Sequence, residues 1–187
     1  MRALLFCLLL TIATPITAAP LSYQLDTEGS VVGFETDFGQ SLIHGQMPVT
    51  QADLILDFDR VAASHVNVTL NAGKARSNLP FATVAMKGNS VLDTKTHPLI
   101  LFESTRMRPT ATGAEVLGRI TVRGVTRDIK LNGTLYRPVG SDPGERENLS
   151  ILLTGAISRA AFGAAGFPDL VGDEVRLKIL AKIQRVH

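Results

Sequence analysis

The stretch Glu174-Val175-Arg176-Leu177-Lys178-Ile179-Leu180-Ala181-Lys182-Ile183-Gln184-Arg185 decides the fold. Val175, Leu177, Ile179, Ala181 and Ile183 share one parity, while Arg176, Lys178, Lys182 and Gln184 share the other. That period of two belongs to a β-strand with one face against a core and one in water. The same alternation recurs upstream. Val32, Phe34, Thr36 and Phe38 oppose Val31, Gly33, Glu35 and Asp37; Leu54, Leu56 and Phe58 alternate with Asp53, Ile55 and Asp57; Val66, Val68 and Leu70 alternate with His65, Asn67 and Thr69. Four more runs follow, Leu99 to Met107, Glu115 to Val122, Arg127 to Tyr136 and Leu149 to Ser158.

Turn chemistry separates these runs. Phe38-Gly39-Gln40, Pro109 to Gly113, Arg123 to Thr126 and Pro138 to Gly144 are short and rich in Gly, Pro and Thr, which favours antiparallel neighbours. The segment Pro138 to Glu147 reads as an exposed hairpin loop, because strands continue beyond it. One helix is expected from near Asn78, with Pro80 in its first turn, Phe81, Val84 and Ala85 at helical spacing and Gly88 as its stop. The predicted class is all-β and antiparallel, about eight strands with one or two short helices. Periodicity leaves barrel and sandwich open.

Composition bounds the rest. The chain has 187 residues, 45% hydrophobic and 19% charged, which is the size and balance of one packed domain. Nineteen basic against seventeen acidic side chains give a net charge of +2, with no long run of one sign, so no nucleic-acid partner is expected. The first residues stand apart: Arg2, the apolar run Ala3 to Leu10 and the small residues Thr17-Ala18-Ala19 have the order of a secretory signal peptide. Cleavage after Ala18 divides the chain into a signal (1–18) and a single domain (19–187), and the apolar run is too short to span a bilayer. Export takes the mature protein out of the cytoplasm. The only cysteine, Cys7, leaves with the signal, and with it go cysteine catalysis, disulfides and thiolate-held metals.

Motifs for catalysis are sparse. His44, His65, His97 and His187 show no helical zinc spacing, and no Gly-x-Ser-x-Gly elbow or phosphate loop occurs. No metal and no catalytic residue is assigned. The sequons at Asn67, Asn132 and Asn148 fall on or beside strands and read as chance matches.

Five stretches, in order, resemble a known family. Gly118-Arg119-Ile120-Thr121-Val122-Arg123-Gly124-Val125-Thr126-Arg127 is similar to the signature string of the YceI-like polyisoprenoid-binding proteins. Tyr23 to Asp26 with Ser30 and Phe34, His44-Gly45, Val91-Leu92-Asp93 with His97-Pro98 and Phe102-Glu103-Ser104, and Ser158 to Gly163 with Val171 to Val175 resemble the family's other elements. Gly29 stands where that family often has a histidine before the first Ser.

The resemblance implies an extended, lipocalin-like β-barrel that holds a long isoprenoid or similar amphiphilic lipid, in a bacterial periplasm, with no catalytic residues and no cofactor besides that ligand. The apolar parity then offers lining candidates: Phe34, Phe38, Val66, Val68, Phe102, Ile120, Leu131, Phe162 and Ile179. Each also serves as ordinary core in a filled barrel. Arg159 is the candidate for a lipid phosphate or carboxylate at a barrel mouth, or for an ion pair within the fold. Arg123 and Arg127 read as a solvated turn. Three functions stay open: a lipid carrier, a packed-barrel interaction or stress protein, and an enzyme acting on an isoprenoid or quinone. Oligomeric state, a homodimer included, is also open.

Overall fold

A computed structural model describes residues 20–187; the signal-peptide reading of 1–18, with Cys7, lies outside the described residues. The elements are β1 (Leu21–Leu25), β2 (Val31–Phe38), β3 (Ser41–Met47), β4 (Val49–Leu56), β5 (His65–Asn71), β6 (Arg76–Ser77), α1 (Pro80–Lys87), β7 (Leu99–Pro109), β8 (Gly113–Val122), β9 (Val125–Tyr136), β10 (Asn148–Ser158) and β11 (Glu174–Arg185). Three short 3₁₀ turns, at Val61–Ala63, Ala72–Lys74 and Ala160–Phe162, complete them.

The strands join one antiparallel sheet in the order β1-β4-β5-β7-β8-β9-β10-β11, and β1 pairs back onto β11. That pairing, Tyr23 with Arg185 and Leu25 with Ile183, closes an eight-stranded barrel. Where β1 bridges β4 and β11 no sheet edge is left, whereas toward the α1 end the sheet runs on through β2 and β3 and ends at β6. β11 is long enough for two partners in series: its C-terminal part pairs β1, and Arg176 to Leu180 pair Glu35 to Val31 of β2. Between them Asp26 Oδ1 accepts the backbone N–H of Glu28 (3.1 Å) and Gly29 (2.9 Å), turning the chain from β1 into β2. β2, β3 and β6 thus continue the sheet beyond β11.

Eight strands were legible as alternation, but they are not the eight of the ring. β2 belongs to the extension, whereas β1 closes the ring and was not read as a strand. β3 was also missed, because its inner positions are Ile43, Gly45 and Met47 and the glycine interrupts the apolar row. β4 begins at Val49, earlier than its alternation suggests, and a bulge between Val49 and Gln51 shifts its parity there. α1 forms where Pro80 and Gly88 bracket it, yet its buried residue is Ala82; Phe81 and Val84 face outward.

The register gives the barrel two distinct ends. The α1 end carries the turns at 39–40, 88–98 and 123–124 and the 159–172 segment, and the other, the hairpin end, carries 57–64, 110–112 and 137–147. The turn at 123–124 is not merely solvated: Arg123 donates to the carbonyls of Val91 (3.2 Å) and Gly163 (2.5 Å), tying three α1-end loops together. Arg127 does stay at the surface, bonded only to its neighbour's carbonyl, Thr126 O, at 3.1 Å.

Candidate functional site

The inner face of the ring encloses a cavity of about 800 Å³ that runs between the two ends. At about 3.3 Å per residue and a tilt near 40°, a strand as long as β11 spans roughly 30 Å along the barrel axis. Two buried clusters share the wall. One, around Ile100, Met107, Val116, Ile120, Ile129 and Leu131, spans β7 to β9; the other, around Tyr23, Leu54, Leu56, Leu149 and Ile183, lies toward the hairpin end.

All nine lining candidates face this lumen: Phe34 and Phe38 from β2, Val66 and Val68 from β5, Phe102 from β7, Ile120 from β8, Leu131 from β9, Phe162 from its 3₁₀ turn and Ile179 from β11. Two of the rings lie along the wall. Phe102 packs on Gly118, where a methyl group would sit 2.6 Å from its ring, and Phe34 packs on Gly45 across the β2–β3 pair, where it would sit 2.5 Å from the ring. A glycine under an aromatic ring lets the ring cover the strand backbone. Both rings therefore lie against the wall at these glycines.

Arg159 also borders the lumen and is 8% exposed. Its guanidinium donates to four main-chain carbonyls: Gly172 from Nε (2.8 Å), Ala164 (2.7 Å) and Gly166 (2.6 Å) from one terminal nitrogen, and Val171 (2.7 Å) from the other. The planar fork of arginine suits this, since it presents five donors from one charge. The partners are backbone, whereas the sequence reading offered a headgroup or an acidic side chain. Asp173 stands nearby, its carboxyl held below the ordinary range by hydrogen bonds from Ser158 and the Ala160 N–H and by the Arg159 charge. The outcome is a 159–172 segment folded tightly around one side chain.

The hairpin end is latched. Arg146 forms a two-bonded pair with Asp59 (2.9 and 3.1 Å) and lies 5.6 Å over the Phe58 ring, while its carbonyl accepts the Tyr23 hydroxyl at 2.8 Å. Asp57 accepts the backbone N–H groups of Asp59 (3.0 Å) and Arg60 (2.7 Å) and pairs with the Arg60 side chain at 3.1 Å. These bonds, the Arg60 N–H foremost, hold the Asp57 carboxyl low; the Arg146 pair does the same for Asp59. Burial raises the Tyr23 phenol. Pro143, Gly144 and Arg146 thereby reach the lumen from the 137–147 loop.

The model matching the chain is that of the YceI-like domain, over residues 23–183. The chain belongs to the YceI-like family. It is 28% identical over 130 residues to a UPF0312 protein of Yersinia pestis, covering 68% of this chain and 67% of that one. A UPF0312 protein of Pectobacterium atrosepticum is 26% identical over 135 residues, with 71% and 70% covered. Among solved structures, Burkholderia cenocepacia BcnA superposes with a TM-score of 0.76 at 18% identity, over 85% of this chain and 99% of that one. A polyisoprenoid-binding domain from Saccharophagus degradans gives 0.65 at 11% identity, over 89% and 99%. Those structural likenesses establish the YceI-like barrel as the shared fold.

Within this YceI-like domain the histidines stay apart. His65 Nε2 contacts Asn67 Nδ2 at 2.9 Å, His187 pairs with Glu147 at 2.8 Å, and no group of three metal-ligating side chains occurs among the described residues. No helix among them is long and apolar enough to cross a membrane. The sequence reading missed the mouth residues at the α1 end. Phe81, Phe167 and Leu170 border the lumen there and lie in a helix and a loop, where period-two parity carries no signal.

Proposed function

We propose that this YceI-like protein is a carrier that sequesters a long-chain isoprenoid, polyprenyl or quinone-like, or another amphiphilic lipid in its lumen. The carrying observation is the apolar cavity of about 800 Å³ running through the barrel. A packed-barrel interaction protein would fill that space with side chains, whereas here it is open and the rings of Phe34 and Phe102 lie against glycines of the wall. Burial of about 0.8 kcal/mol per methylene makes ten methylenes worth about 8 kcal/mol, micromolar affinity from apolar contact alone. The likeness to a domain described as polyisoprenoid-binding supports the same ligand class.

The protein works without catalytic residues in this reading, as a binding module. Residues 1–18 export it to the periplasm and are cleaved after Ala18. Arg159 acts as the tie of the 159–172 segment, because four of its five donors are already taken by carbonyls. The experiment is native mass spectrometry of protein purified from the periplasm, followed by organic extraction and lipid identification. A stoichiometric isoprenoid, quinone or fatty-acyl adduct on a chain beginning at Ala19 is expected. A bare protein that also fails to take up added polyprenol would overturn the carrier reading.

A further inference from the structure

The two ends of the lumen differ in what surrounds them. At the hairpin end the surroundings are ion pairs and a polar latch, and the exposed Val139 of the 137–147 loop stands off the lumen lining. At the α1 end, large apolar side chains face outward: Phe81 is 58% exposed, Val84 74%, Phe167 49% and Leu170 57%. They form one rim. The Phe81 ring centroid lies 5.8 Å from that of Phe38, Phe38 bridges Val171, and Gly39 N–H donates to the Leu170 carbonyl at 3.1 Å. Phe167 closes the same turn, its carbonyl accepting the N–H groups of Leu170 (3.1 Å) and Val171 (2.9 Å).

The fold maintains this exposure at a cost. Phe167 has φ of 60°, a left-handed conformation unfavourable for a bulky residue. It is held there by its neighbours. Arg159 binds the carbonyls of Ala164, Gly166 and Val171, on both sides of Phe167, and Gly166 lies so close to Ser90 that a methyl group there would sit 2.7 Å from its hydroxyl oxygen. A buried arginine and a strained backbone thus serve to present a phenyl ring outward beside the opening of an apolar cavity.

We propose that this rim of Phe81, Val84, Phe167 and Leu170 is a bilayer-docking face through which the lumen exchanges its ligand. The inference rests on the carrier reading for its ligand, while the docking stands on the rim itself. Continuity with the lumen selects the occupant. Phe81, Phe167 and Leu170 border the cavity as well as the solvent, so a chain passing between lumen and acyl layer meets apolar surface throughout if the rim is immersed. Interfacial residues of this kind sit ~5–10 Å into the headgroup boundary. The segments at the rim carry both signs, Lys87 and Lys95 against Asp93 and Asp169, so docking should need no anionic lipid and should change little with salt.

The test uses phosphatidylcholine vesicles. Wild-type protein should float with them, and it should transfer a fluorescent polyprenol from donor to acceptor vesicles. The variant Phe81→Ser/Phe167→Gly/Leu170→Ser should lose flotation and transfer at least about tenfold more slowly, given the apolar area removed. Val84→Asp, on the rim but outside the lumen wall, should also weaken flotation, while its lumen, loaded from detergent, still holds polyprenol at wild-type stoichiometry by native mass spectrometry. Phe167→Gly alone suits a φ of 60° and supplies a folded reporter should the triple variant fail to fold; it should weaken flotation with no loss of melting temperature. Wild-type protein that carries polyprenol yet never floats, or a rim variant that floats and transfers normally, would overturn docking and leave the carrier reading intact. A wild-type dimer that becomes monomeric in the rim variant would overturn it in favour of self-association. Rim-dependent flotation without any lumenal lipid would sustain docking and sink the carrier reading.

Discussion

Ala181→Phe tests the lumen from within. Ala181 lies midway along β11, opposite Ile151 of β10, on the parity that faces the cavity, and it is small where its neighbours Ile179 and Ile183 are large. Phenylalanine adds six ring carbons to the alanine methyl, and a cavity of about 800 Å³ can take them without a clash in the empty protein. The ring then occupies the space of about as many ligand carbons. At ~0.8 kcal/mol each, the loss is up to about 5 kcal/mol, or between roughly three and four orders of magnitude in Kd. Reseating of the flexible chain recovers part of this, so at least a hundredfold loss is expected. The protein has no tryptophan, so titration with a fluorescent polyprenol reads binding against a dark background. A short isoprenoid that needs only part of the lumen should lose far less. Unchanged affinity for the long chain, in a variant with wild-type circular dichroism and melting temperature, would refute lumenal binding.

Other consequences are as concrete. Arg159→Met strips the donor from four carbonyls and should lower stability by about 3 kcal/mol in urea unfolding, with Arg159→Lys recovering less than half because one ammonium cannot span them all. Gly118→Ala places a methyl 2.6 Å from both the Phe102 ring and the Glu103 carbonyl, so it should cost about 1–3 kcal/mol. Adding Phe102→Leu should return only the part due to the ring, as a double-mutant cycle would show. Asp37, Asp59 and Asp173 all titrate below the ordinary 3.8 in the folded state, so the unfolded chain takes up protons first as pH falls. Their stabilisation is complete well above pH 3.8 and disappears as pH drops through the folded values. Melting temperature should therefore be flat near neutrality and fall below about pH 4, less steeply in Asp59→Asn.

Much of this architecture is written as alternation. β5, β8, β10 and β11 each turn one apolar parity inward, so that side is legible before any fold is known, whereas in β7 a bulge between Ser104 and Arg106 switches the buried parity from Ile100 and Ser104 to Met107. That is why the eight lining candidates on strands face the lumen; Phe162 reaches it from a 3₁₀ turn, where alternation carries no signal. Signals of another kind failed. The alternation of β3 breaks at Gly45, a residue chosen for contact with Phe34 on the neighbouring strand, and β1 has only five residues. The spacing of Phe81 and Val84 correctly indicates a helix, yet suggests a buried face where the structure exposes both.

Arg159 marks the boundary most clearly. A charged residue before Phe162-Gly163 can serve a ligand, an acid or a backbone, and only the path of 164–172 brings four carbonyls around it. The sequence by itself determined an all-β domain, the inward parity of its main strands and its YceI-like kinship, because period-two burial and short turns are local properties of the chain. The tertiary structure alone decided that the sheet closes through β1 and β11, that the interior stays open and that one mouth is apolar. Those outcomes depend on register between strands more than 150 residues apart, which no local pattern encodes.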